Sequence, residues 1–260
     1  MELLAPPRWT CVDFISDLHL QASDPQTFVA WRSYLQHTAA DAVFILGDLF
    51  DVWVGDDVLS LTNSFERQCA DALRAAARRL DVYILCGNRD FLMGPALMEA
   101  CGATLMQDPC VLAFAGQRWL LTHGDALCLA DTDYMAFRAM ARSEKWQQDF
   151  MSQALPIRME LGRSMRAQSE AHKRTQTQYA DVDFDAADAL LDSHQATHMV
   201  HGHTHKPAKH TLSGGRERLV LSDWDLHGHL PRAEVLRLRQ TRLDTMPSYT
   251  LERIPPSMAS

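Results

Sequence analysis

Five short apolar runs in this chain each end in a small polar cluster, and that repetition limits what the chain can fold into. The plainest is Val43-Phe-Ile-Leu-Gly-Asp-Leu-Phe-Asp51, where four apolar residues run straight into Gly47-Asp48. A continuous apolar run bounded by a turn residue reads as a parallel strand buried on both faces. Gly47 permits the tight turn that ends it. Asp48 is therefore expected at the carboxyl end of a strand, where open α/β sheets hold their ligands. Four other runs end alike: 11–16 opens into Asp17-Leu-His19, and 82–86 into Gly87-Asn88-Arg89-Asp90. Run 118–121 opens into Thr122-His123-Gly-Asp125, and 197–200 into His201-Gly-His203-Thr-His205.

The segments between these runs carry helical spacing. Phe28, Trp31 and Leu35 share a face within 25–40, and 65–80 is rich in Ala and Arg. Strand–helix–strand–helix–strand over 11–86 is the pattern of a parallel sheet, so the polar clusters converge on one edge. A helical turn over 95–100 follows, then a hairpin of 111–114 and 118–121 about Ala115-Gly116-Gln117. Segment 131–178 differs: it is helical by propensity, rich in Arg, Met and Gln, and lacks a strand signal. It reads as a helical insertion within a single domain spanning 1–260, with Pro156 opening a helix. Helix 183–195 follows, and 218–221 and 233–238 read as antiparallel strands with 213–216 as a turn.

Apolar residues are 47% of the 260, enough for a substantial core. The net charge of -8 argues against a broad nucleic-acid footprint, so no nucleic-acid partner is expected. The six cysteines at 11, 69, 86, 101, 110 and 128 form no Cys-x-x-Cys and read as buried reduced thiols. The amino terminus has no apolar core of signal-peptide length, and no run approaches the roughly 18 residues of a membrane span. A cytoplasmic protein is expected, free to touch a membrane peripherally.

Asp17, His19, Asp48, Asn88, His123, His201 and His203 are oxygen and imidazole donors without a thiolate. They suffice for two hard or borderline ions if one carboxylate bridges, and Asp48 is the candidate bridge. Each cluster alone has a plainer reading, as a capped turn or a solvated loop. Their recurrence at five strand ends favours the metal.

These motifs, in this order from residue 17 to 203, resemble the calcineurin-like metallophosphoesterase superfamily. The resemblance implies an α/β fold, a four-layer αββα sandwich of two mixed sheets flanked by helices, with the insertion as a helical lid. It implies one metal on Asp17, His19, Asp48 and His203, and a second on Asp48, Asn88, His123 and His201. Most members carry His after Gly-Asn; here Arg89 and Asp90 follow. Gly-Asp-Leu-Phe-Asp-x-Trp-x-Gly-Asp-Asp (47–57), Gly-Asn-Arg-Asp-Phe-Leu (87–92) and His-Gly-Asp-x-Leu-Cys (123–128) are similar to a narrower family, the UDP-2,3-diacylglucosamine diphosphatases. So are Phe137-Arg138, Met165-Arg-Ala167 and His-Gly-His-Thr-His-x-Pro-Ala (201–208). That family implies a step of Gram-negative lipid A synthesis. Metal-activated water cleaves the substrate's diphosphate, giving UMP and 2,3-diacylglucosamine 1-phosphate. It implies two Mn²⁺ per chain, a lipid-nucleotide substrate, a monomer, and peripheral residence on the cytoplasmic face of the inner membrane.

By the same resemblance Asp131, Ser169 and Lys173 hold the glucosamine and its phosphate. Arg166, Asn88 and His201 join them, and Lys173, Arg174 and Gln176 compete for the basic contact. Asp48, Arg89 and His123 carry the catalytic roles. Independently of the name, an Arg beside ligand Asn88 can fork onto phosphate, and no Ser, Cys or Thr among the donors offers a covalent nucleophile. His205 reads as a hydrogen-bonding neighbour rather than a ligand. In the insertion, Arg158, Arg163, Arg166, Lys173 and Arg174 alternate with Leu155, Met159, Leu161 and Met165. This is either an amphipathic helix with a solvated basic face or a lid over acyl chains. Two rivals remain: another phosphoesterase of the superfamily, and a trafficking scaffold with a decayed metal site.

Overall fold

In the computed structural model of the chain, the backbone is described for residues 1–175, 181–228, 230–243 and 246–260; side chains are described except at 170–180, 229 and 242–247. The strands are β1 (Glu2–Leu4), β2 (Cys11–Ile15), β3 (Ala42–Leu46), β4 (Asp81–Leu85), β5 (Thr104–Leu105), β6 (Cys110–Phe114), β7 (Gln117–Leu121), β8 (His198–His201), β9 (Ala208–Thr211), β10 (Glu217–Val220), β11 (Val235–Leu243) and β12 (Met246–Ile254). The helices are α1 (Pro25–His37), α2 (Phe65–Ala77), α3 (Pro95–Cys101), α4 (Thr132–Ala141), α5 (Glu144–Met151), α6 (Leu155–Thr175) and α7 (Phe184–Ser193).

Two six-stranded mixed sheets result, one in the order β12-β11-β2-β3-β4-β5, the other β1-β6-β7-β8-β10-β9. Alternation sorts each strand's residues between two cores. Phe14, Phe44 and Leu46 point between the sheets, where Leu112, Trp119, Leu121 and Val200 meet them. Ile15, Val43 and Ile45 point the other way, against Trp31 and Leu35 of α1 and Leu73 of α2. Across the second sheet Leu120 and Met199 pack on Ala187 and Leu191 of α7. The layers are helix, sheet, sheet, helix, the αββα sandwich expected. Burial on both faces is why β3 reads as an unbroken apolar run and β2 as one broken only by Asp13.

α1 stops at His37 because Thr38 turns extended and hydrogen-bonds buried Asp13 at 2.7 Å. Asp13 also accepts a fork from Arg237 (2.8 and 2.9 Å) and the hydroxyl of Tyr34 (3.0 Å), so this buried pair is fully hydrogen-bonded. The reading of 218–221 and 233–238 needs correction. β10 runs parallel to β8 and antiparallel to β9 across the 213–215 turn, whereas β11 lies in the other sheet between β2 and β12. β9 (Ala-Lys-His-Thr) buries no residue and has a single apolar position, so periodicity gave it no signal. All six cysteines are free, and burial pushes the Cys128 thiol up to about 12. No helix among the described residues is long and apolar enough to cross a membrane.

Candidate metal centre

Every motif donor sits at the end of a strand or just past one. Asp17 and His19 follow β2, Asp48 follows β3, Asn88 follows β4, His123 follows β7, His201 ends β8 and His203 lies just beyond. The turns there are tight. Asp17 (φ 53°), His19 (46°), Asp48 (52°), His203 (66°) and His205 (53°) all take the left-handed conformation that L-residues avoid. Such strain persists only where the surroundings over-determine it. Here the loops after β2 and β3 are laced together: Asp17 N–H donates to Gly47 O (3.1 Å) and His19 N–H to Asp48 O (3.0 Å). Two glycines make room for carboxylates, because a Cβ on Gly87 would collide with Asp48 and one on Gly202 with Asp17.

Donor atoms of Asp17, Asp48 and His123 lie within 4.8 Å of one another, as do those of Asp17, His19 and His205. His123 Nε2 is 3.7 Å from Asp48 Oδ1, and His19 Nδ1 is 3.9 Å from Asp48 Oδ2. Asn88 Oδ1 lies 3.1 Å from His123 Nε2 and 3.0 Å from His203 Nδ1. His203 also donates its backbone N–H to both Asp17 oxygens, at 3.1 and 3.0 Å. His201 is set apart from both clusters: its Nδ1 meets Gly202 O at 2.8 Å, and its Nε2 faces the guanidinium of buried Arg218 at 3.5 Å. The sequence did not foretell that neighbour; His205, read as a hydrogen-bonding neighbour, does lie against the donors, with its Nε2 3.3 Å from both Asp17 Oδ1 and His19 Nε2.

Burial dominates the electrostatics. It raises the carboxyl of Asp48, helped by the nearby Asp17 charge, and lifts Asp90 to about 7, helped by Asp48. Burial would lower His123, but Asp48 and Asp17 outweigh it and push the imidazole up to about 9. Burial works against ionisation of Asp17 too, yet the facing His205, His123 and His19 drive its pKa down. Burial takes His203 down to about 3 with His123 beside it, His201 to about 4 with Arg218 beside it, and His19 well below its usual value. His19, His201 and His203 are thereby held neutral, as metal ligands must be, whereas a cation would have to displace the proton held on His123. Buried His19 Nδ1 has no hydrogen-bond partner. Oxygen and nitrogen donors without thiolate fit divalent ions such as Mn²⁺ or Fe²⁺.

A cleft of about 710 Å³ opens onto these donors. At one end it exposes His19, Asp48, Asn88, Arg89 and His203. The rest is largely apolar: Trp53 and Val54 after β3, Phe137 of α4, Trp146 and Phe150 of α5, and Met165 of α6. Asp131, Arg166 and Ser169 also line it. Lys173, Arg174 and Gln176 fall outside the residues whose side chains are described. Asp131 caps α4, accepting from Tyr134 N–H at 3.0 Å, and Arg166 Nε donates to Asp51 at 2.6 Å.

α4 is tied to the donor loops. Buried Asp125 accepts from the Tyr134 hydroxyl and from Arg138 Nε (2.8 Å), while Arg142 donates to Gly87 O (3.0 Å). α6 packs Gly162 on Val52 and Val54. Arg158 is not part of a solvated basic face. It is 2% exposed, pairs with Asp57 and donates to Val54 O, its guanidinium lying where a side chain on Gly55 would stand. Leu155 packs on the helix-side core rather than in the cleft.

Residues 12–207 match the family model of calcineurin-like phosphoesterases. A protein of Chromohalobacter salexigens described as UDP-2,3-diacylglucosamine hydrolase is 42% identical over 217 residues, 81% of this chain and 87% of that protein. Proteins of the same description from Bordetella pertussis (41% identical; 88% of this chain, 90% of that one) and Ralstonia nicotianae (40%; 91% and 92%) are similar over comparable lengths. Among solved structures, vacuolar protein sorting 29 from Cryptosporidium parvum is similar at 12% identity and a TM-score of 0.44, covering 95% of this chain and 98% of that one.

Proposed function

The chain belongs to the calcineurin-like phosphoesterase family, and from that membership we propose that it hydrolyses the diphosphate of UDP-2,3-diacylglucosamine to UMP and 2,3-diacylglucosamine 1-phosphate, a step of lipid A synthesis. One observation carries this reading: a single cleft joins an aromatic and aliphatic wall to a cluster of phosphate-competent and metal-competent groups. That amphiphilic lining suits a lipid joined to a nucleoside diphosphate. The printed description of relatives at about 40% identity points the same way.

We assign one ion to Asp17, His19, Asp48 and His203, and a second to Asp48, Asn88, His123 and His201, with Mn²⁺ as the resident metal. His201 would have to turn from Arg218 to join. When bound, two divalent ions supply an acidified water and neutralise charge on phosphoryl oxygens. The chain's own groups do the rest. Arg89 presents its guanidinium to the phosphate at the mouth of the donor cluster. Asn88 and His123, tied at 3.1 Å, hold each other's orientation. Asp131, Arg166 and Ser169, with Lys173, Arg174 or Gln176, bind the sugar and its phosphate, and His201 is assigned with them.

Segment 131–178 acts as the lid. Phe137, Trp146, Phe150 and Met165 exclude water and grip the acyl chains. Exposed Met140, Met151, Ile157 and Leu161 on the same helices, next to Arg163, suit a peripheral contact with the anionic cytoplasmic face of the inner membrane. The protein is proposed to work as a monomer. The test of the reaction is incubation with UDP-2,3-diacylglucosamine and Mn²⁺ followed by mass spectrometry. UMP plus the lipid monophosphate is expected; UDP plus free lipid sugar would overturn the assignment.

The lid reading makes its own prediction. Buried acyl methylenes contribute roughly 0.8 kcal/mol each, and that energy can position the diphosphate over the donors. Phe137→Gln and Met165→Gln, both facing the cleft, are expected to lower kcat/KM for the diacyl substrate about tenfold or more. Hydrolysis of a small phosphodiester should fall much less. Equal losses on both substrates, at matched metal content, would make these side chains supports of the metal centre instead.

A further inference from the structure

The last strands bring a loop against the metal centre that the sequence motifs do not touch, and it lies beyond the 12–207 stretch matched by the family model. After β10 the chain passes through Ser222, Asp223 and Trp224, all nearly buried. Trp224 N–H donates to the carbonyl of Asp17 at 3.0 Å, fixing the backbone of that donor. The Asp17 side chain is reached indirectly. His205 Nε2 lies 3.3 Å from Asp17 Oδ1, and its other ring nitrogen, Nδ1, lies 3.2 Å from Asp223 Oδ2. Asp223 is in turn forked by Arg232, whose Nε and Nη2 donate at 2.6 and 2.5 Å. Arg232 and Asp225 also exchange two backbone hydrogen bonds of 2.9 Å each, which close the loop on itself.

We propose that Asp223 and Arg232 are positioning residues, which hold His205 so that it fixes the orientation of the Asp17 carboxylate in the metal centre. With a carboxylate at each ring nitrogen, His205 is restrained against rotation about its Cβ–Cγ bond. Asp17 Oδ1 thereby keeps a fixed partner, while Oδ2 accepts from the Ser16 hydroxyl at 2.5 Å. Bidentate Arg–carboxylate geometry is specific in direction, so Arg232 sets where Asp223 points, and a lysine could not repeat it. Outer partners of this kind tune metal affinity by about 10- to 100-fold. The chain of contacts runs Arg232, Asp223, His205, Asp17, and only its last member is an assigned ligand.

The inference rests on the metal reading above, and the experiment separates the two. Mn²⁺ binding is measured by titration calorimetry on wild type, Asp223→Asn and Arg232→Met, with melting temperatures taken metal-free and at saturating Mn²⁺. Asp223→Asn is expected to weaken Mn²⁺ binding about 10- to 100-fold. Arg232→Met should weaken it less but in the same sense; its side chain is 45% exposed, so its loss leaves the core intact. Metal-free melting temperatures should stay close to wild type while the Mn²⁺-induced rise shrinks. Unchanged affinity in both variants, or equal falls in metal-free and metal-loaded melting, would overturn the proposal and leave the loop a plain structural element. Failure of the wild type to bind two Mn²⁺ would instead overturn the metal reading, and this inference with it.

Discussion

Asp48→Ala is expected to lose turnover almost completely, with kcat/KM down by at least about 10³-fold, a barrier increase of about 4 kcal/mol. The geometry gives the reason. Asp48 is the donor that faces both halves of the centre: its Oδ2 is turned to His19 and its Oδ1 to His123. In the proposed assignment it is the shared ligand, so alanine removes one bond to each ion and the negative charge between them. Its Oδ1 also accepts the Arg89 backbone N–H at 2.9 Å, so the loop carrying Asn88 and Arg89 loses an anchor in the same step. Asp17→Ala should affect one ion more than the other. Elemental analysis of the purified variants alongside steady-state kinetics distinguishes these outcomes. Full activity of Asp48→Ala with added Mn²⁺ would refute the bridge.

Arg89→Ala should behave differently, keeping its metal and losing about 10²–10³ in kcat, the usual cost of removing one group that stabilises developing charge. The backbone of Arg89 is already spoken for: its N–H binds Asp48, and its carbonyl accepts from Trp53 N–H at 3.1 Å. Truncating the side chain therefore leaves the loop pinned while removing the guanidinium from the cleft. Arg89→Lys should recover only part of the loss, because an ammonium cannot make the fork. Metal content falling in step with activity would show that Arg89 supports the centre rather than the reacting phosphate.

The central strands and the donors past them were legible because a strand buried on both faces leaves an unbroken apolar run, and whatever follows stands at the sheet's edge. The apolar run 43–46 falls inside β3 (Ala42–Leu46) for that reason. The edge strands were not legible: β9 and β12 are half-exposed and mixed in polarity, so no period marks them. The inward turn of Arg158 was equally hidden. An arginine on an amphipathic helix is solvated or buried according to what the helix packs on, and Gly162 lets α6 approach Val52 and Val54 closely. The proposed Asp223–Arg232 support escaped because it reaches Asp17, some two hundred residues earlier, only through His205, and local spacing carries no trace of such a chain of contacts.

The donors come from two separate sheets. Asp17, His19, Asp48 and Asn88 stand at the ends of β2, β3 and β4, while His123, His201 and His203 belong to the β7–β8 edge of the other sheet. An ion seated among them would act as a reversible cross-link between the two halves of the sandwich, so folding and loading become a single coupled equilibrium. A ligand that binds only the native state at a hundred times its Kd adds about 2.7 kcal/mol to stability. Metal scarcity would therefore reach beyond catalysis: it would lower the resistance of the inter-sheet core itself to opening and proteolysis.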